Sequence, residues 1–167
     1  MAIKKILQYP NPALKKITLP SKGVGVEERL VAKDLVETMY ASPGVGLAAP
    51  QINELLRIMA VDVTPKNPGS GLIVLINPEI TTHSGERIFR EGCLSIPEYT
   101  ADIRRFEKIT VSGLTPNGER VTINSDGFEA IALQHEIDHL DGILFIDRIE
   151  SIRSLFKRKI KDKKKKK

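Results

Sequence analysis

This sequence is short of cysteine and histidine, with one and three respectively in 167 residues, and it has no long apolar run. A single cysteine admits no internal disulfide, so nothing calls for an oxidising compartment. No stretch approaches the roughly 18 apolar residues expected of a membrane span. Met1-Ala2-Ile3-Lys4-Lys5-Ile6 lacks the apolar core of a signal peptide. A cytoplasmic protein without membrane association is therefore expected. Neither G-x-G-x-x-G nor the Walker spacing is present, which removes the common phosphate loops. Internal repeats are missing, and so is the alternation of strand and helix patterns that builds a parallel sheet. Excess charge of one sign is confined to the end. The formal total is +5, but residues 157–167 hold nine basic side chains against Asp162, leaving −3 on the rest.

What is present suits one well-buried unit: 41% hydrophobic and 28% charged residues. Residues 1–156 are expected to form a single domain, and residues 157–167 a basic, disordered tail. The tail reads as solubilising, with weak electrostatic contact to RNA, the ribosome included, as its functional alternative. From Lys4 to Gly25 prolines and glycines recur, so an irregular arm is expected. Glu27 to Tyr40 has helical periodicity, with Leu30, Val31, Leu35, Val36 and Met39 as its apolar stripe, and Pro43-Gly44 closes it. Strand patterns follow at Arg57–Val63 and Leu72–Ile76, with Thr64–Gly71 as the loop between them. Lys108–Leu114 and Glu119–Ile123 flank Pro116-Asn117-Gly118, a hairpin signal. His83, in Thr81-Thr82-His83-Ser84-Gly85, reads as an exposed turn residue. A last helix is expected from about Ile149 or Glu150, with Ile152, Leu155, Phe156 and Ile160 on one side. This order predicts an α+β fold: mainly antiparallel sheets around a central metal-binding helix, with an N-terminal and a C-terminal helix.

That central helix runs from about Gly127 to Asp141, with Gly142 placed to end it. It is apolar on two faces, and it carries Gln134-His135-Glu136-Ile137-Asp138-His139. Histidines four apart lie one above the other on a helix and can converge on one metal ion. A glutamate beside the first can serve as a general base. A catalytic metal site of this kind needs a third protein ligand and an open position. Downstream, Asp141, Asp147 and Glu150 are available, but no third histidine follows. Upstream, Cys93 stands in Glu91-Gly92-Cys93-Leu94-Ser95 and is the better reading, as a thiolate. Gly44-Val45-Gly46-Leu47-Ala48-Ala49-Pro50-Gln51 is a run of small residues ending in one amide. Its glycines suit either a close approach or a left-handed turn.

These three stretches, in this order, resemble the three motifs of peptide deformylases. Ile6-Leu7-Gln8-Tyr9-Pro10-Asn11-Pro12 is similar to that family's N-terminal arm, and the resemblance extends from about Ile3 to Phe156. It implies that Cys93, His135 and His139 hold one divalent metal, Fe²⁺ foremost, with Zn²⁺ or Ni²⁺ able to take its place. It also implies hydrolysis of the N-formyl group from formyl-methionyl nascent peptides, releasing formate, by a metal-bound water with Glu136 as base. The Gln51 amide and the Leu94 backbone N–H would stabilise the oxyanion. Gly46 would let an extended peptide lie along the backbone, and Val45 and Ile131 are positioned for a methionine pocket. Gln134 and Asp138 would support the ligands, Asp138 by orienting a histidine or by pairing with Arg104 or Arg105. A monomer is expected.

Two other readings follow from the same residues. An H-E-x-x-H protease would take Asp147 or Glu150 as its third ligand. A structural-metal or RNA-binding module would fill four ligand positions and act through the lysine tail, leaving Glu136 and Gln51 without a role.

Overall fold

The computed structural model describes residues 3–158. Helix α1 spans Val26–Tyr40, opened by the Glu28 carboxylate accepting from Gly25 N at 2.8 Å. Strands β1 (Gly46–Ala48), β2 (Ile58–Val61), β3 (Ile73–Ser84), β6 (Lys108–Leu114) and β7 (Arg120–Asp126) form one sheet in the order β1-β2-β3-β6-β7. A second sheet holds β4 (Arg87–Cys93), β5 (Ile96–Arg105) and β8 (Leu155–Lys157). Helix α2 covers Gly127–Leu140. Every strand pair in both sheets is antiparallel. The α+β expectation holds.

Side-chain alternation on β2 shows how the layers assemble. Ile58 and Ala60 join Val31, Leu35 and Met39 of α1 in one buried cluster. Met59, Val61 and the following Val63 join Leu133, Ile137 and Leu140 of α2 in another. The five-stranded sheet thus carries one helix on each face, which is why its inner strands read as almost continuously apolar. Helix α2 is buried on both sides because its other face meets a third cluster. There Cys93, Ile96 and Ile103 of the second sheet pack with Leu14, Leu144 and Phe145.

The arm is tied to the places where the three motifs lie. Leu7 N donates to Gln51 O at 2.7 Å and Tyr9 N to Ser95 O at 2.9 Å. Thr18 donates twice to Leu140 O, at 2.9 Å from its N–H and 2.8 Å from its hydroxyl. Gly142 stops α2 at φ +69°, and a Cβ there would lie 2.5 Å from Lys15 O. Only glycine meets both demands.

Several expected details differ. Leu30 is 54% exposed, and the buried face of α1 is built from Val31, Ala32, Leu35 and Met39. β3 continues past Asn77-Pro78 to Ser84 because a register shift at Ile76/Glu79 accommodates the proline, with Asn77 left-handed at φ 54°. His83 consequently lies on a strand, stacked on Phe106 at 3.7 Å, and only Gly85 turns. The expected C-terminal helix is replaced over its opening residues. Ile152–Ser154 is a single 3-10 turn, Ile152 is 75% exposed, and Leu155–Lys157 pairs with β5. The free edge of β5 offered backbone partners that a short helix could not match. Lys157 and Arg158, expected in the disordered tail, instead extend the second sheet, Lys157 opposite Tyr99 and Arg158 N donating to Glu98 O at 2.7 Å. Ile160 and the rest of the tail from residue 159 lie outside the described residues.

Candidate active site

The two histidines project from the last two turns of α2, one turn apart. Cys93 ends β4, immediately before the Leu94-Ser95 turn into β5. One donor atom from each of Cys93, His135 and His139 lies within 4.8 Å of the other two. Cys93 Sγ is 3.2 Å from His139 Nε2, and both residues are buried. The three sequence-selected ligands are thus brought together. Asp147 and Glu150 are not: Asp147 pairs with Lys15 and caps Leu144 N, and Glu150 binds Arg104 at 2.9 Å.

The donor set fits a divalent cation. Burial would push the Cys93 thiol up, yet the His139 and His135 rings outweigh it and hold the thiol well below its ordinary value. Burial disfavours a charged His135, but Cys93 and Glu91 more than reverse this and raise it well above its ordinary value. The cluster therefore attracts positive charge between sulfur and nitrogen, and a cation would replace the protons there. Sulfur and nitrogen donors suit iron, zinc or nickel rather than magnesium or calcium. His139 Nδ1 has no partner among the described residues.

A buried ionic chain holds the first histidine. Glu91 Oε2 lies 2.8 Å from His135 Nδ1, so that nitrogen carries the hydrogen and Nε2 presents its lone pair. Arg105 grips both oxygens of Glu91, at 2.6 and 3.0 Å, and reaches Asp138 at 2.7 Å. Arg148 closes the chain with two bonds of 2.5 Å to Asp138. Burial would raise the Glu91 carboxyl, but His135 and Arg105 hold it down at about 2. Arg105 is the partner of Asp138, and Arg104 instead faces Glu86 and Glu150. Gln134 acts differently, exchanging hydrogen bonds with the Phe106 backbone at 2.9 and 3.0 Å. Sequence reasoning missed Glu91, Arg148 and Ser95 as parts of the site. Glu91 and Ser95, lying at the two ends of the cysteine motif, were the ones with a signal.

Glu136 is buried, with one carboxylate oxygen unpartnered among the described residues. Burial is the main reason its carboxyl is raised to about 7; the two histidines pull it down, and Cys93 pushes it up. Gly46 passes directly over it: a Cβ on Gly46 would sit 2.9 Å from Glu136 Cδ and Cγ. The glycine is therefore there for close approach. Gly44 is similar, since a Cβ would lie 2.7 Å from Leu94 Cδ1.

Gln51 Oε1 accepts from Ala48 N at 2.8 Å, which turns Nε2 toward Cys93 Sγ at 3.6 Å and Ser95 Oγ at 3.1 Å. Val45, Gly46, Gln51, Leu94, Ile131 and Glu136 line one cleft of about 280 Å³ that also touches Cys93 and His135. A larger groove of about 580 Å³ crosses β3, β6 and β7, away from this chemistry.

Such an arrangement can bind a small apolar group, polarise a carbonyl and move a proton through one carboxylate. A family model described as polypeptide deformylase matches residues 3–154. The chain is 47% identical over 165 residues to a peptide deformylase of Thermodesulfovibrio yellowstonii, covering 98% of this chain and 100% of that one. It is 44% identical over 164 residues to one from Syntrophobacter fumaroxidans, covering 98% and 96%. The crystal structure of a Legionella pneumophila peptide deformylase superposes with a TM-score of 0.84 at 40% identity, covering 92% of this chain and 89% of that one. A Met-Ala-Ser-bound structure from Acinetobacter baumannii gives 0.82 at 34% identity, covering 89% and 99%.

Proposed function

Because the chain belongs to the polypeptide deformylase family, whose members deformylate nascent peptides, we propose that it hydrolyses the formyl amide of formyl-methionyl N-termini with Glu136 as general base. The observation that carries this reading is the meeting of Cys93, His135 and His139 beside a buried carboxylate with a free oxygen.

Cys93, His135 and His139 would hold one divalent cation, Fe²⁺ foremost and Zn²⁺ or Ni²⁺ as substitutes. When bound, it supplies Lewis-acid activation of water and of the carbonyl oxygen. The protein does the rest. Glu91 and Arg105 keep His135 in its ligating tautomer. Glu136 takes a proton from the attacking water and passes it to the departing amine, so that formate and a free methionyl N-terminus result. Its raised affinity for protons, caused by burial, suits a group that must accept one and give it back. The tetrahedral intermediate places negative charge on the former formyl oxygen. Gln51 Nε2 and the Leu94 backbone N–H are the donors that meet it. Gln51 is oriented for this by Ala48 N.

The substrate side follows from the cleft. Val45 and Ile131 would receive the methionine side chain, with Gly46 keeping the peptide close to the backbone. The Acinetobacter baumannii protein holds Met-Ala-Ser, which supports a deformylated tripeptide fitting the equivalent cleft here. Residues 1–156 would act as one catalytic domain, as a monomer in the cytoplasm.

The ligand assignment is tested by metal content. Cys93→Ala should reduce bound metal from about one per chain to a small fraction, while Asp147→Ala and Glu150→Ala retain it. Retention by Cys93→Ala together with loss in either acidic variant would instead favour the protease-type ligand set.

A further inference from the structure

The short strand β8 brings a cation to the substrate cleft. Its backbone pairs with β5 in the register Tyr99–Lys157, Thr100–Phe156 and Ala101–Leu155, and Arg158 N continues the pairing to Glu98 O at 2.7 Å. Phe156 is pinned beneath Arg90, whose guanidinium lies 3.6 Å from its ring centre and bonds Asp102 at 2.5 and 3.2 Å. Anchored in this way, Arg158 folds its guanidinium onto the Cα face of Gly92, the residue before Cys93, and lines the mouth of the cleft. A Cβ at Gly92 would run into Arg158 Nη2, so the guanidinium would have to move aside for it.

Lys66 lines the same cleft and donates to the Pro43 carbonyl. Among the described residues neither Arg158 nor Lys66 makes an ion pair, whereas Arg90 is committed to Asp102. The carboxylates lining the cleft are Glu91, taken by Arg105 and His135, and the buried Glu136. The mouth thus presents uncompensated positive charge, and the sequence adds more beyond it, with seven lysines against one aspartate in residues 159–167.

We propose that Arg158 is a specificity residue that favours nascent peptides carrying a carboxylate shortly after the formyl-methionine. Arg158 stands against Gly92, the neighbour of Cys93, and an extended chain advances about 3.3 Å per residue, so residues shortly after the formyl-methionine come within its reach. This rests on the deformylase reading and adds a substrate preference to it. The effect is an ion pair in a solvated setting, modest and sensitive to salt.

The test uses the full chain loaded with metal and two tetrapeptides, formyl-Met-Ala-Asp-Ala beside formyl-Met-Ala-Lys-Ala, each amidated and as the free acid, with formate as readout. For the wild type, kcat/KM should be higher for the aspartate peptide. The ratio should fall roughly three-fold in Arg158→Gln and roughly ten-fold in Arg158→Glu, and be largely kept in Arg158→Lys. The change should appear mainly in KM and shrink at high salt. Matched circular dichroism spectra would show that each variant is folded. A ratio that is the same in the wild type and Arg158→Glu overturns the inference. So does a preference confined to peptides with a free C-terminal carboxylate, which assigns Arg158 to short products instead of nascent chains. No formate from any peptide would sink the deformylase reading itself, a distinguishable result.

Discussion

At the scale of single residues, the site depends on two unlike features: donor atoms that converge, and a glycine that leaves room. Gly46 illustrates the second. Its backbone lies so close to Glu136 that one added methyl group must push the carboxylate aside. Gly46→Ala should therefore lower kcat by roughly 100-fold, the scale of losing a positioned general base, while metal content stays near one per chain. Formate assays and metal analysis on the same preparation check this, and unchanged kcat would show that the carboxylate tolerates displacement. The histidine spacing and the lone cysteine were legible because the chemistry of a metal centre restricts residue type and, on a helix, spacing. The chain from Glu91 through Arg105 and Asp138 to Arg148 was not. It joins β4, β5, α2 and the segment after α2, and the pairing depends on a strand register that no local pattern announces.

At the scale of elements, Asp62 joins three pieces of chain just beyond β2. It accepts from Tyr40 Oη at 2.6 Å, at the end of α1, and from Thr64 N and Oγ1 at 2.9 and 2.6 Å, in the following loop. The Thr64 and Tyr40 hydrogen bonds hold its carboxyl below the usual value, against the opposing effect of burial. A depressed folded value means that the stabilisation is complete above the unfolded pKa, about 3.9. It is lost as pH falls through the folded value. Asp62→Asn should thus cost about 1 kcal/mol near pH 7, and the gap to wild type should narrow below about pH 4. Denaturant unfolding of both proteins across that range measures it; a gap constant with pH would assign the cost to packing. Helix α2, the β6–β7 hairpin and the alternation of β2 were readable because each buries a periodic apolar face. The C-terminal segment misled because Ile152, Leu155 and Phe156 sit at helical spacing, while Leu155 and Phe156 pair with β5, Phe156 lies under Arg90 and Ile152 is exposed.

At the scale of the whole molecule, the candidate catalytic centre is also a structural joint. The arm, the five-stranded sheet with its two helices and the second sheet all meet around α2. A cation bound only by the folded state stabilises it by mass action. Stripping the metal with a chelator should lower Tm by several degrees in wild type and leave Cys93→Ala almost unmoved. Identical melts of loaded and stripped wild-type protein would separate the metal from the fold. No helix among the described residues is long and apolar enough to cross a membrane. The net charge also divides along the chain, since residues 1–156 carry −3 and the basic excess begins at Lys157, at the end of β8. That is the point where the chain reaches the mouth of the cleft.

The most direct test is formate release from a formyl-Met tripeptide by anaerobically purified protein, wild type beside Glu136→Ala, with metal per chain measured on both. About one metal per chain in each, with formate released rapidly by the wild type and at least 100-fold more slowly by the variant, is the predicted result. Equal formate release by the two proteins would contradict Glu136 as the base, and metal-loaded wild type that releases none would contradict the reaction.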